Sequence, residues 1–105
     1  MSDDAPQAGT GVPAGAISKE LLIINKRGLH ARASAKFVQA VERFNAQVWV
    51  TRGAETVGGT SIMGLMMLAA GPDTTITVAA AGADAEAALA AITELVESKF
   101  NEEGT

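Results

Sequence analysis

SKELLIINKRGLHARASAKFVQAVERF, residues 18–44, changes its periodicity halfway, and that change decides the fold. Ser18 to Ile24 gathers Leu21, Leu22, Ile23 and Ile24 into a short apolar run closed by Asn25-Lys26-Arg27-Gly28, the pattern of a strand entering a loop. From Ala31 to Phe44 the larger apolar residues fall at Phe37, Val38, Val41 and Phe44, spacings that put them on one face of a helix. A strand, a glycine-bearing loop and an amphipathic helix therefore follow one another.

Downstream, Gln47 to Arg52 alternates around Val48 and Val50, with Trp49 on the opposite face, and Gly53 supplies a turn into a second short strand over Ala54–Val57. Gly58-Gly59 closes that strand, and Ser61 is placed to cap a short helix running to Leu68. After the turn at Gly71-Pro72-Asp73, Thr74 to Ala80 reads as a strand with Ile76, Val78 and Ala80 on one face. Asp84 is placed to cap a last helix carrying Leu89, Ile92, Leu95, Val96 and Phe100 along one stripe. The order βαββαβα predicts an α+β fold, an antiparallel or mixed sheet with one face covered by helices. Residues 1–16, MSDDAPQAGTGVPAGA, have no large apolar residue besides Met1 and Val12 and predict a flexible tail ahead of a single domain over residues 17–105.

With 48% hydrophobic and 19% charged residues the chain has the composition of a globular domain whose core is built from Ala, Val, Ile, Leu and Met. The absence of cysteine excludes disulfides and thiolate chemistry, and a single histidine argues against a structural zinc site. The most apolar run, Ile62 to Ala70, falls far short of the about 20 residues that cross a bilayer. No basic-then-apolar leader appears, so a cytoplasmic location without membrane insertion is expected. Charge is uneven: seven of the eight basic residues lie between Ile17 and Gly53 with only Glu20 and Glu42, whereas Ala54 onward holds eight acids and Lys99. A basic stretch in an acidic protein suits an anionic group or an acidic partner surface better than extended nucleic acid.

Conventional catalytic constellations are missing, since there is no second His, no Cys and no G-x-S-x-G. Gly58-Gly59-Thr60-Ser61 lacks the lysine of a phosphate loop and reads as a turn into a capped helix. What remains is Gly28-Leu29-His30-Ala31-Arg32-Ala33-Ser34-Ala35, at the junction of strand and helix. Neutral imidazole is a good nucleophile near neutral pH. At a helix start, unpaired N–H groups and the positive end of the helix dipole can hold a phosphoryl group bonded to that ring. Arg32 offers a fork of donors to the same oxygens, and Arg27 and Lys36 add positive field.

On these residues the chain resembles the HPr family of phosphocarriers of the phosphoenolpyruvate-dependent phosphotransferase system, which includes nitrogen-branch NPr carriers. The signature G-[LIVM]-H-x-R-[PA] is met by Gly28-Leu29-His30-Ala31-Arg32-Ala33, and a second family segment, around a regulatory serine, looks like Gly59-Thr60-Ser61-Ile62-Met63-Gly64-Leu65. The resemblance spans about Ser18 to Ser98. It implies an open-faced sandwich, a four-stranded antiparallel sheet with three helices on one face. It further implies that enzyme I phosphorylates His30 on Nδ1, that Arg32 steadies the phosphoryl oxygens, and that His30 then donates to an EIIA-type protein. Ser61 would be the target of an HPr kinase/phosphorylase, and Arg27, Ile62, Met63 and Met66 would meet partners. The implied protein is a monomeric, stoichiometric carrier without cofactor or metal, rather than an independent enzyme. Two positions depart from the commonest pattern: Ala33 stands where sugar-system carriers usually have proline, and Thr60 precedes the serine where many members carry Lys or Arg.

Two other readings stay open. One is a regulatory interaction module controlled mainly at Ser61, whose partner binding survives loss of His30. The other is a small-ligand or nucleotide-binding α+β domain. The residues leave undecided whether the pathway feeds sugar uptake or nitrogen and carbon regulation.

Overall fold

The computed structural model describes residues 12–102. The expected flexible tail therefore lies outside the described residues up to residue 11. Its last part, residues 12–16, forms a turn in which the Ala16 N–H bonds to the Pro13 carbonyl at 3.1 Å. The elements are β1 (Ile17–Leu22), α1 (Ala31–Glu42), β2 (Gln47–Arg52), β3 (Glu55–Gly58), α2 (Ile62–Met67), β4 (Thr75–Ala81) and α3 (Ala85–Glu97), followed by a 3-10 turn over Lys99–Asn101. The sheet is antiparallel throughout, in the order β1-β4-β2-β3.

Strand alternation sends Leu21, Val48, Val50, Ile76, Val78 and Ala80 to one face, where all are buried. Against that face sit Phe37, Val38 and Val41 of α1, Leu65 of α2, and Ala88, Ile92 and Val96 of α3, completing one core. Trp49 points to the uncovered face, half-buried in register between Ala79 and Gly58, as its alternation predicts.

Three local expectations are modified. β1 begins at Ile17 and ends at Leu22, yet buried Ile23 continues the pairing, with its N–H on the Thr74 carbonyl and its carbonyl accepting from Asp73, both at 2.8 Å. Asp84 stands at the N-cap of α3 but makes no side-chain bond to that helix. Its Oδ2 accepts from the Asn45 N–H at 2.8 Å instead, tying the loop before α3 to the loop before β2. Finally, α3 stops at Glu97, so Phe100 is not on its stripe. Lys99, Phe100 and Asn101 adopt φ of 60°, 57° and 56°, three consecutive left-handed residues. Such backbone costs non-glycine residues on the order of 1 kcal/mol each. Offsetting this, Phe100 is fully buried and its carbonyl accepts from Lys36 Nζ at 2.6 Å.

Candidate functional site

The loop before α1 is held by Gly28. Its φ is +65°, and a Cβ there would lie 2.8 Å from Gly71 Cα and closer still to the Ala70 carbonyl oxygen. That close approach lets the Leu29 N–H bond the same carbonyl at 2.9 Å. Buried Leu29 then anchors the chain beneath His30, which becomes the N-cap of α1 in extended conformation.

His30 caps the helix with its ring: Nδ1 accepts from the Arg32 backbone N–H at 3.2 Å. Because a backbone amide can only donate, Nδ1 carries a lone pair here, and in neutral imidazole the proton resides on Nε2. Nε2 faces Glu102 Oε2 and donates to it. The other carboxylate oxygen accepts from Asn25 Nδ2 at 3.2 Å, and the same Nδ2 also donates to the Gly28 carbonyl at 2.8 Å. Asn25 is completely buried, and its Oδ1 has no partner among the described residues. Turning the amide over would set that oxygen against two acceptors, so the donors face Gly28 and Glu102. Burial pushes the Glu102 carboxyl upward, but hydrogen bonds from His30 and Asn25 and the charges of His30 and Lys36 outweigh this and hold it below the ordinary carboxylate value.

Arg32 is exposed in the first turn of α1, and its guanidinium has no ion-pair partner among the described residues. Arg27 is exposed in the loop ahead of Gly28. Ser61 is the N-cap of α2, its Oγ accepting from the Gly64 N–H at 2.9 Å. Ile62, Met63 and Met66 are exposed by 40, 69 and 39%, so this short helix turns only Leu65 fully into the core. Met67, equally apolar and exposed, extends that patch beyond the residues singled out from sequence. α2 packs on α1. It is the segment after α2, through the Ala70 carbonyl, that bonds the histidine loop, whereas Ser61 lies at the opposite end of the helix. Among the described residues no three His, Asp or Glu side chains gather as a metal site, and no helix is long and apolar enough to cross a membrane.

Sequence reasoning missed Asn25 and Glu102. Asn25 reads as a turn residue, and Glu102 lies 72 positions from the ring it contacts. Neither carries a local signal.

Fold and site together define an open-faced α+β sandwich that presents one imidazole at the head of a helix, its Nδ1 lone pair held by the Arg32 N–H. Residues 17–98 match the family model described as PTS-HPr, the PTS HPr component phosphorylation site. The phosphocarrier protein HPr of Neisseria meningitidis serogroup A is 49% identical over 86 residues, covering 82% of this chain and 97% of that protein. The phosphocarrier protein NPr of Shewanella violacea is 41% identical over 86 residues, covering 82% and 94%. Among solved structures, HPr from Thermoanaerobacter tengcongensis superposes with a TM-score of 0.79 at 41% identity, covering 83% of this chain and 98% of that one. The chain belongs to the HPr family of phosphotransferase-system phosphocarriers.

Proposed function

We propose that this protein accepts a phosphoryl group on Nδ1 of His30 from phosphorylated enzyme I and passes it to an EIIA-type protein. The observation that carries this reading is the bond from the Arg32 N–H to Nδ1, which marks Nδ1 as the nitrogen with a lone pair at the head of α1. In the transfer, the Arg32 N–H lets go of Nδ1, the freed lone pair attacks phosphorus, the bond from phosphorus to the donor's side chain breaks, and its electrons leave with the donor. The incoming oxygens meet the free N–H groups of the first turn of α1 and the guanidinium of Arg32. Phosphoryl transfer rests mainly on positioning and charge stabilisation, so these groups suffice when a partner brings the donor. The exposed Ile62, Met63 and Met66, together with Arg27, suit docking, since flexible methionine adapts to more than one partner. Ser61, exposed at the N-cap of α2, is placed so that a phosphate would sit at the favourable end of that helix and alter docking rather than the fold.

Incubation with phosphoenolpyruvate and enzyme I should yield an acid-labile, base-stable adduct that His30→Ala abolishes. Persistence of the adduct in the variant overturns the assignment. A regulatory module governed at Ser61 would instead keep partner binding in His30→Ala and change it in Ser61→Asp.

A further inference from the structure

We infer that Glu102, oriented by Asn25, is a positioning residue that fixes the tautomer of His30, leaving Nδ1 unprotonated, and that it faces the charge the ring acquires on phosphorylation. This inference rests on the phosphocarrier reading and adds a residue to it.

The geometry has three parts. Asn25 is fully buried and spends both protons of Nδ2 on the Gly28 carbonyl and Glu102 Oε1. That leaves Oε2 directed at His30 Nε2, where a carboxylate can only accept. The proton of the neutral ring is therefore held on Nε2, the nitrogen away from the helix. Glu102 is brought there by the left-handed turn at Lys99–Asn101, which is pinned by buried Phe100 and by Lys36 Nζ on the Phe100 carbonyl. The carboxylate is itself 7% exposed, so its field on the ring is less screened than that of a surface acid.

The same arrangement acts during transfer. When the Nδ1 lone pair forms the N–P bond, the ring keeps its Nε2 proton and becomes cationic, while the electrons of the broken bond to phosphorus leave with the donor. Glu102 then pairs with a cation, a stronger contact than the one it makes to the neutral ring. An interaction that strengthens along the reaction accelerates it.

Glu102→Gln is the discriminating change because Asn25 dictates how the introduced amide sits. Its oxygen must face the Asn25 donor, so its NH2 points at Nε2 and favours a proton on Nδ1. That proton would oppose the Arg32 N–H and occupy the nucleophilic lone pair. With one histidine in the chain, side-chain 15N shifts of the full-length protein report the tautomer without ambiguity. At alkaline pH, once the ring signals no longer change with pH, the wild type should be predominantly the Nε2–H form. In Glu102→Gln the ratio should move roughly tenfold toward Nδ1–H, and the rate of adduct formation should fall, since a charge-assisted bond is exchanged for an opposed one. A wild type dominated by Nδ1–H overturns the inference and needs no variant to show it. An unchanged ratio in a folded Glu102→Gln also overturns it. The tautomer is read without a donor, so failure of the phosphocarrier reading appears separately, as a wild type that forms no adduct.

Discussion

Gly28→Ala and Gly53→Ala place the same methyl group on the same backbone conformation in different surroundings. Gly28 has φ of 65° and Gly53 φ of 61°, so each substitution carries the left-handed cost of an L residue, about 1 kcal/mol. At Gly53 nothing lies within 4 Å of the added Cβ, and the cost ends there. At Gly28 the Cβ would stand 2.8 Å from Gly71 Cα and overlap the Ala70 carbonyl, both backbone atoms that cannot rotate aside. Moving them costs a further ~1–3 kcal/mol. It also weakens the 2.9 Å bond from Leu29 N–H to Ala70, worth about 1 kcal/mol. The totals are about 3–5 kcal/mol against about 1 kcal/mol. In a domain of this size those correspond to a Tm loss of roughly 15–30 °C and roughly 4–8 °C. Paired thermal melts of the two variants measure the difference directly. If they agree within about 0.5 kcal/mol, the close approach of the histidine loop to residues 70 and 71 is not what makes glycine necessary at 28.

Three further outcomes are expected. Ser61→Ala should cost about 1 kcal/mol by removing the cap of α2, visible as faster hydrogen exchange of the Gly64 amide, whereas Ser61→Asp keeps an acceptor and should leave that exchange nearly unchanged. Phe100→Ala empties a fully buried site and should destabilise by about 3–5 kcal/mol in urea unfolding, with loss of the Glu102 contact to His30 seen in the ring 15N shifts. The Glu102 carboxyl titrates below its ordinary value of 4.5 when folded, so the unfolded chain binds its proton first as pH falls. The stabilisation is complete above 4.5 and disappears as pH drops through the folded value. The Tm advantage of wild type over Glu102→Gln should therefore shrink on acidification, and a gap independent of pH would contradict the pairing.

Most of the fold is legible in the sequence because it rests on periodicity. Phe37, Val38 and Val41 fall on one helical face and are all buried, and Val48 and Val50 alternate with Trp49 as a one-sided sheet demands. The histidine, its helix start and the Ser61 cap are legible because each depends on near neighbours in the chain. The rest depends on tertiary contacts. Asp84 has the sequence of a cap, but the Asn45 amide takes its carboxylate. Phe100 has the spacing of α3, but the chain enters the left-handed region at Lys99 with no glycine to announce it. Asn25 and Glu102 meet only because that turn brings them together, and no window of sequence contains both.

The strand order β1-β4-β2-β3 governs the order in which the molecule can form during synthesis. Only the β2–β3 hairpin joins strands adjacent in sequence. β1 finds its ladder solely through β4, Ile17 opposite Ala80, and β2 likewise gains its second neighbour there. Closing so long a loop has an entropic cost before any contact offsets it, so folding is set by non-local pairing. A nascent chain that has already exposed His30 and the whole of α1 still lacks the central strand of its sheet. The imidazole is thus made early and acquires its surroundings late, after residues 75–81 have emerged and threaded between two strands that precede them.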